Sequence, residues 1–297
     1  MSKKNDFRMM KTASPKYILF KFVQKDFMDF LRFCYKFIRK RNFKRDTEFV
    51  SSIYETRRLD QIKNYTFTTL DEYAFGSPTS NEETKRWNLY KGKLKFGVHK
   101  EITEYKYSLL EDKIRTIDMK YIVELGSGGG RNILYLAQKF PEKRFVGIEL
   151  SPISVELSKL AAIEFRLSNV DFFAKDLTKP DTYSDLIQSS SLVFSMHCLE
   201  EMPRIFKIPL ILMKEKKVQN IFLLEPAFLL QPKRHFLELA RLLRIIHHDR
   251  LWGLPGFCKM NFTKNYDLTM IDLGMGNNPV NPSSLVDIKL KNHQASL

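Results

Sequence analysis

The sequence predicts an α/β chain built around a doubly wound, mostly parallel sheet, and three observations carry that expectation. Short apolar runs alternate with longer amphipathic ones from Tyr121 onward, the first of the short runs opens straight into Gly126, Gly128 and Gly130, and the second ends on an acid, Glu149. Strands that alternate with helices form a parallel sheet covered on both faces, because each crossover helix buries its apolar stripe against the sheet. Ligands of such sheets gather at the carboxyl ends of the strands.

Each element has its own justification. Tyr121–Leu125 reads as the first strand, and the three glycines after it let the backbone turn sharply and approach a ligand with no side chain between them. A helix follows at once, with Ile133, Leu134, Leu136 and Ala137 on its inner side. Residues 144–148 form the next strand and deliver Glu149, 19 positions beyond Gly130, where a carboxylate can hold the two hydroxyls of a ribose. After Ser151-Pro152 a helix runs to about Arg166, and Val170–Ala174 is a third strand closing on Lys175-Asp176-Leu177. Residues 192–196 and 221–224 are the fourth and fifth strands. The apolar helix between them, residues 204–217, has Pro203 near its start, where proline is tolerated. Residues 268–273 and 285–290 are β-like runs separated by GMGNNPVNPSS, a glycine-, asparagine- and proline-rich stretch that can reverse the chain.

Glycine spacing separates two cofactors. A dinucleotide fold places a third small residue at G-x-G-x-x-G/A, and here that position is Arg131. The glycines run G-x-G-x-G, and Ile122, Val123, Glu124 and Leu125 precede them as two hydrophobic residues, an acid and a hydrophobic residue. The stretch therefore resembles motif I of the class I S-adenosylmethionine-dependent methyltransferases, with a nucleotide-binding oxidoreductase as the alternative. The resemblance covers about residues 121–291. It implies a Rossmann-like doubly wound, mostly parallel seven-stranded sheet with an antiparallel last strand, and S-adenosyl-L-methionine as cofactor. It also implies that Glu124, Gly126, Ser127, Gly128, Gly130, Glu149, Leu150, Asp176 and Leu177 hold that cofactor, with Asp176 at the adenine amino group. For Asp176 a carboxylate that merely caps the next turn is the structural alternative. The tail NPVNPSSLVDIKL and the segment MHCLEEMP are loosely similar to bacterial methyltransferases of sugars or other small polar acceptors.

The organisation has three parts: a basic amphipathic extension over residues 1–46, a helical lid or connecting segment over 47–117, and the methyltransferase-like domain over 118–297. The first 46 residues hold 14 Lys and Arg against 4 Asp and Glu, ten of the chain's net +15. Within them residues 17–40 place Phe20, Val23, Phe27, Leu31, Cys34 and Ile38 at helical spacing between lysines and arginines. Three readings stand side by side for this stretch: packing on its own domain or a sister subunit, peripheral contact of residues 14–45 with an anionic membrane surface, and docking of nucleic acid. Residues 77–85 read as a loop and residues 99–115 as a helix. Three widely spaced cysteines imply no disulfide framework and fit a cytoplasmic home. No run of about 18 uncharged apolar residues is present to span a bilayer.

Methyl transfer is an in-line displacement, so the protein must align donor and acceptor and, for a hydroxyl acceptor, remove a proton. His197 is the candidate base, since it follows the fourth strand and an imidazole titrates near neutral pH; a histidine satisfied by backbone contacts is the bland alternative. Glu200 and Glu201 on the same loop are candidates to orient it or replace it, and Glu225 ends the fifth strand on the acceptor side. His247, His248 and Asp249 sit at adjacent positions that point in different directions, so no metal site is expected. The [DNS]-P-P-[FYW] grip of amino-methylating nucleic-acid enzymes is missing at MHCLEEMP, and Cys198 follows histidine rather than proline or threonine. The expectation is O-methylation of a small-molecule or saccharide acceptor. An RNA or protein methyltransferase docking through its basic front end is the rival, and a cofactor-binding protein without catalysis is a third reading.

Overall fold

The computed structural model describes residues 69–75, 87–202, 205–227, 253–277 and 281–291. The basic stretch over residues 1–46 and the His247, His248, Asp249 cluster lie outside the described residues.

In chain order the described elements are α1 (Leu70–Phe75), β1 (Trp87–Tyr90), β2 (Lys93–Phe96), α2 (His99–Arg115), β3 (Tyr121–Leu125), α3 (Arg131–Lys139), β4 (Arg144–Glu149), α4 (Pro152–Glu164), β5 (Val170–Ala174), β6 (Ser191–Met196), α5 (Lys207–Glu215), β7 (Asn220–Glu225), α6 (Leu254–Phe262), β8 (Tyr266–Met275) and β9 (Ser283–Leu290). Seven strands form one sheet in the order β5-β4-β3-β6-β7-β9-β8. Strands β3 to β7 run parallel, and β9 alone is reversed, inserted antiparallel to both β7 and β8. The chain winds outward from β3 in one direction through β4 and β5, then returns to β6 and winds the other way. That reversal opens a crevice at the carboxyl ends of β3 and β6.

Burial follows position in the sheet. The central strand β7 is buried at every residue, whereas the edge strand β8 alternates between exposed and half-buried positions along most of its length. This is the expected contrast between a strand covered on both faces and one at the rim. One face packs Val123, Leu125, Val193, Ile221 and Leu223 against α5 and α6; the other packs Ile122, Phe145, Leu192 and Phe194 against α1, α2 and α3. Helix α2 is thus part of the main core through Tyr107, Leu110 and Ile114.

Local rules explain several boundaries. Ser151 caps α4 by accepting from the Ser154 amide at 3.2 Å, with Pro152 in the first turn. Helix α5 is described from Lys207, shorter than the 204–217 expectation, and its buried Pro209 sits in the first turn, where an amide would lack an intrahelical partner anyway. Residues 87–96, which the sequence reading assigned to no element, form a hairpin. Its two-residue turn, Lys91-Gly92, has φ of 48° and 72°, the paired left-handed geometry that matches strand twist. The hairpin is tied to the end of β8, since Leu89 and Gly276 exchange both backbone hydrogen bonds at 3.0 and 2.9 Å.

Candidate active site

The loop between β3 and α3 is a cradle that rejects side chains. Gly126, Gly128 and Gly130 all take positive φ, at 71°, 55° and 76°. A Cβ on Gly126 would lie 2.1 Å from Cys198 Sγ, and one on Gly130 would lie 2.8 Å from Ser158 Oγ and 2.9 Å from the Phe172 ring. The first glycine therefore lets the β6 loop press on the β3 loop, and the third lets α3 and α4 close together. Gly147 in β4, which the sequence reading passed over, serves the same end: a Cβ there would meet Phe172 at 2.5 Å and Ser127 Oγ at 2.7 Å.

Glu149 braces the cradle from the neighbouring strand. Its Oε2 accepts from the Gly128 amide at 2.9 Å and its Oε1 from the Ser151 amide at 3.0 Å. Glu124 points from β3 into the core with no exposed surface, and Asn132 Nδ2 donates to its Oε1. Burial, reinforced by the charge on Glu149, pushes the Glu124 carboxyl up to about 8 in spite of that bond. Its Oε2 and the Ser127 hydroxyl are buried with no hydrogen-bond partner among the described residues. A cradle that a Cβ would fill, with two orphaned polar atoms at its floor, fits a polar adenosyl compound. Tyr73 from α1 closes one side by donating to the Gly129 carbonyl, and the Arg131 guanidinium lies 5.5 Å from the Tyr73 ring.

The other predicted cofactor residues are less uniform. Leu177 is buried in the core, and Leu150 is half-buried at the end of β4. Asp176 folds back on its own turn: its Oδ1 accepts from the Thr178 amide at 2.9 Å and the Thr178 hydroxyl at 2.7 Å, and its Oδ2 lies 3.6 Å from Lys179 Nζ. That is the capping arrangement.

One strand away, three residues from separate parts of the fold converge on His197. The residue itself has φ of 59°, an uncommon conformation for a side-chain-bearing residue. Glu200 Oε1 lies 2.8 Å from Nδ1, while Ser283 Oγ from β9 and Lys106 Nζ from α2 each lie 2.8 Å from Nε2. Glu200 is buried, and its second oxygen accepts from Asn281 Nδ2 at 3.0 Å. Glu201, next along the loop, is half-buried. Lys106 is only 4% exposed, and burial draws its ammonium down to about 8, partly offset by the charge on Glu225.

Glu225, offered by the sequence as an acceptor-side group, is an anchor for this loop. It is fully buried; its Oε1 accepts from Ser195 Oγ at 2.6 Å, the Cys198 amide at 2.9 Å and the Leu199 amide at 3.0 Å, and its Oε2 accepts from the Glu200 amide at 3.2 Å. Cys198 has its thiol pushed well up by burial and the surrounding carboxylates, which makes it a poor nucleophile. No cluster of three or more metal-ligating side chains occurs among the described residues, and none of the helices there is long and apolar enough to cross a membrane. Lys106, Asn132 and Ser283 are the site residues that sequence reasoning missed. Only Lys106 carried a signal, as a lysine on the buried stripe of a helix with Ile102, Leu110 and Ile114.

Comparison with known proteins places this geometry in context. Residues 122–208 match the family described as "Methyltransferase domain". A tRNA (guanine-N(7)-)-methyltransferase of Wolinella succinogenes is 42% identical over 59 residues, 19% of this chain, so the chain spans about 15% of the length of that curated relative. Among solved structures, magnesium protoporphyrin IX methyltransferase from Synechocystis PCC 6803 with bound SAH aligns over 83% of this chain and all of its own, with a TM-score of 0.51 and 13% identity, a likeness of fold. A SAM-dependent methyltransferase from Anabaena variabilis ATCC 29413 aligns over 82% of this chain and 95% of its own at 14% identity and a TM-score of 0.47.

Proposed function

We propose that this chain, a class I S-adenosylmethionine-dependent methyltransferase by its family match, its sheet order and its glycine cradle, methylates an oxygen of a small polar molecule or sugar, with His197 as the base. The observation that carries the base assignment is the pairing of His197 Nδ1 with buried Glu200 at 2.8 Å, while Nε2 lies 2.8 Å from both Lys106 Nζ and Ser283 Oγ at the carboxyl end of the sheet. A ring oriented by a carboxylate on one nitrogen presents the other to an acceptor, the usual architecture of a histidine base.

In this reading Gly126, Ser127, Gly128 and Gly130 hold the cofactor by backbone approach, and Glu124, Glu149, Leu150, Asp176 and Leu177 surround its adenosyl portion. When bound, the cofactor supplies a sulfonium-activated methyl carbon. The chain's own tasks are alignment, worth roughly 7 to 11 kcal/mol at best, and removal of the acceptor proton at Nε2, with Glu200 stabilising the imidazolium. Asp176 then keeps its turn in shape and meets adenine through whichever face Thr178 leaves open. The pair Glu200 and Glu201 beside the crevice disfavours a polyanionic acceptor.

The rival is an RNA methyltransferase; the 59-residue match to a tRNA-modifying protein speaks for it. Incubating the full chain with cell extract and methyl-labelled cofactor, then separating label by class, tests the two. Label in small polar molecules supports the proposal. Label in RNA, with binding that weakens steeply with salt and vanishes on deleting residues 1–46, replaces it. Tight cofactor binding with no labelled product points to the binding protein without catalysis.

A further inference from the structure

We propose that Lys106 is a positioning residue for His197: it donates to Nε2 so that the ring carries its proton on Nδ1, against Glu200, and it gives up that lone pair to the acceptor hydroxyl when one arrives. The inference rests on the reading of His197 as base. Three observations support it. Nζ lies 2.8 Å from Nε2, and an ammonium can only donate, so that nitrogen must offer its lone pair. Glu200 stands 2.8 Å from Nδ1 as an acceptor, so both partners demand one tautomer. Lys106 is buried on α2, and its Nζ hydrogen-bonds the imidazole, with the charge on Glu225 acting on it from β7.

The charges around the ring explain why a cation belongs there. Glu200 on the same loop and Glu225 at the end of β7 are the carboxyl groups that act on the ring, the second with its own ionisation opposed by burial, and a protonated histidine is useless as a base. Ser283 from β9 does not titrate in this range, and Cys198, beside His197 in the chain, has its thiol held protonated by its surroundings. Lys106 brings a positive charge against Nε2 and opposes the two carboxyl groups. The ring is thereby oriented by Glu200 on one nitrogen while a cation faces the other. Lys106 also couples α2 to the site, so a helix upstream of the glycine cradle takes part in the acceptor side of the crevice.

The test reads the ring itself and needs no acceptor. Nitrogen-15 chemical shifts of His197, assigned by its absence in His197→Ala, report tautomer and titration midpoint in the full chain. Wild type should show the Nδ1–H tautomer. Lys106→Met should raise the midpoint by roughly one unit or more, because a like charge has been removed, and Lys106→Arg should hold it near the wild-type value. An Nε2–H tautomer in wild type, or a midpoint in Lys106→Met equal to that of wild type, overturns the proposal; the tautomer needs no variant, so a misfolded variant does not shield it. If the nuclear magnetic resonance result is as expected but no acceptor is ever methylated, the function proposed above fails while the positioning role stands.

Discussion

Gly126→Ala tests the cradle at its tightest point. The change has two separable costs. At φ of 71° an L-residue adopts the left-handed conformation, which costs about 1–2 kcal/mol. The new methyl would also sit 2.1 Å from Cys198 Sγ and 2.4 Å from Cys198 Cβ, against an ordinary carbon contact of about 3.5–4.0 Å. Neither side can retreat cheaply: the Gly126 amide donates to the Ile148 carbonyl at 2.7 Å, and the Cys198 amide donates to Glu225 at 2.9 Å. Overpacking of this kind costs about 1–3 kcal/mol, which brings the sum to about 2–5 kcal/mol. For a domain of this size that lowers the melting temperature by roughly 4–20 °C. Second-site changes separate the two parts. Cys198→Ala removes Sγ but leaves Cβ in place, so it should not rescue Gly126→Ala. Cys198→Gly leaves Cα at 3.7 Å, an ordinary contact, and should recover the packing part while the backbone part remains. Thermal melts and calorimetric titration with S-adenosylmethionine read both effects. Wild-type melting and affinity in Gly126→Ala, or rescue by Cys198→Ala equal to that by Cys198→Gly, would refute the reasoning.

Three further outcomes follow from the same geometry. Because Glu124 is raised from 4.5 to about 8, the folded protein keeps a proton that the unfolded chain has released between those values, so rising pH costs stability across that window and the loss is complete above it. Cofactor-free Glu124→Gln should therefore melt above wild type at about pH 9 and converge with it near pH 4.5; parallel melting curves at both pH values would show that Glu124 does not titrate abnormally. His197→Ala should lower turnover by roughly 10² to 10⁴ with cofactor affinity intact, measured by initial rates once an acceptor is in hand, and an unchanged rate removes His197 from the chemistry. Glu225→Ala should destabilise by about 3 kcal/mol in urea unfolding, since it strands two buried amides, a part-buried one and a buried hydroxyl, whereas Glu225→Gln should be milder because its amide oxygen still accepts.

The elements legible in the sequence were those whose signal is local. Strands β3, β4, β5 and β6 announced themselves as short apolar runs, and the cradle as glycines immediately after the first of them, because a tight turn constrains its own residues whatever packs around it. Glu149 was legible for the same reason, as an acid fixed at the end of a strand. The β1–β2 hairpin was not, since Lys91-Gly92 lacks the Asn-Gly signal and its strands are only four residues each. The loop-holding contacts of Glu225 were not legible: a carboxylate at a strand end reads the same whether it faces a ligand or caps the adjoining loop, and its three amide donors come from the loop after the neighbouring strand.

What the sequence determined by itself was the succession of strands and helices from β3 onward, the glycine cradle and the place of His197, all products of near-neighbour steric rules and periodic burial. The partners of His197 come from residues 106, 200 and 283, which no local pattern connects. Tertiary structure alone brings them together, because sheet order sets β9 beside β7 and core packing turns one face of α2 inward, and the charge balance on the imidazole is a property of that assembly.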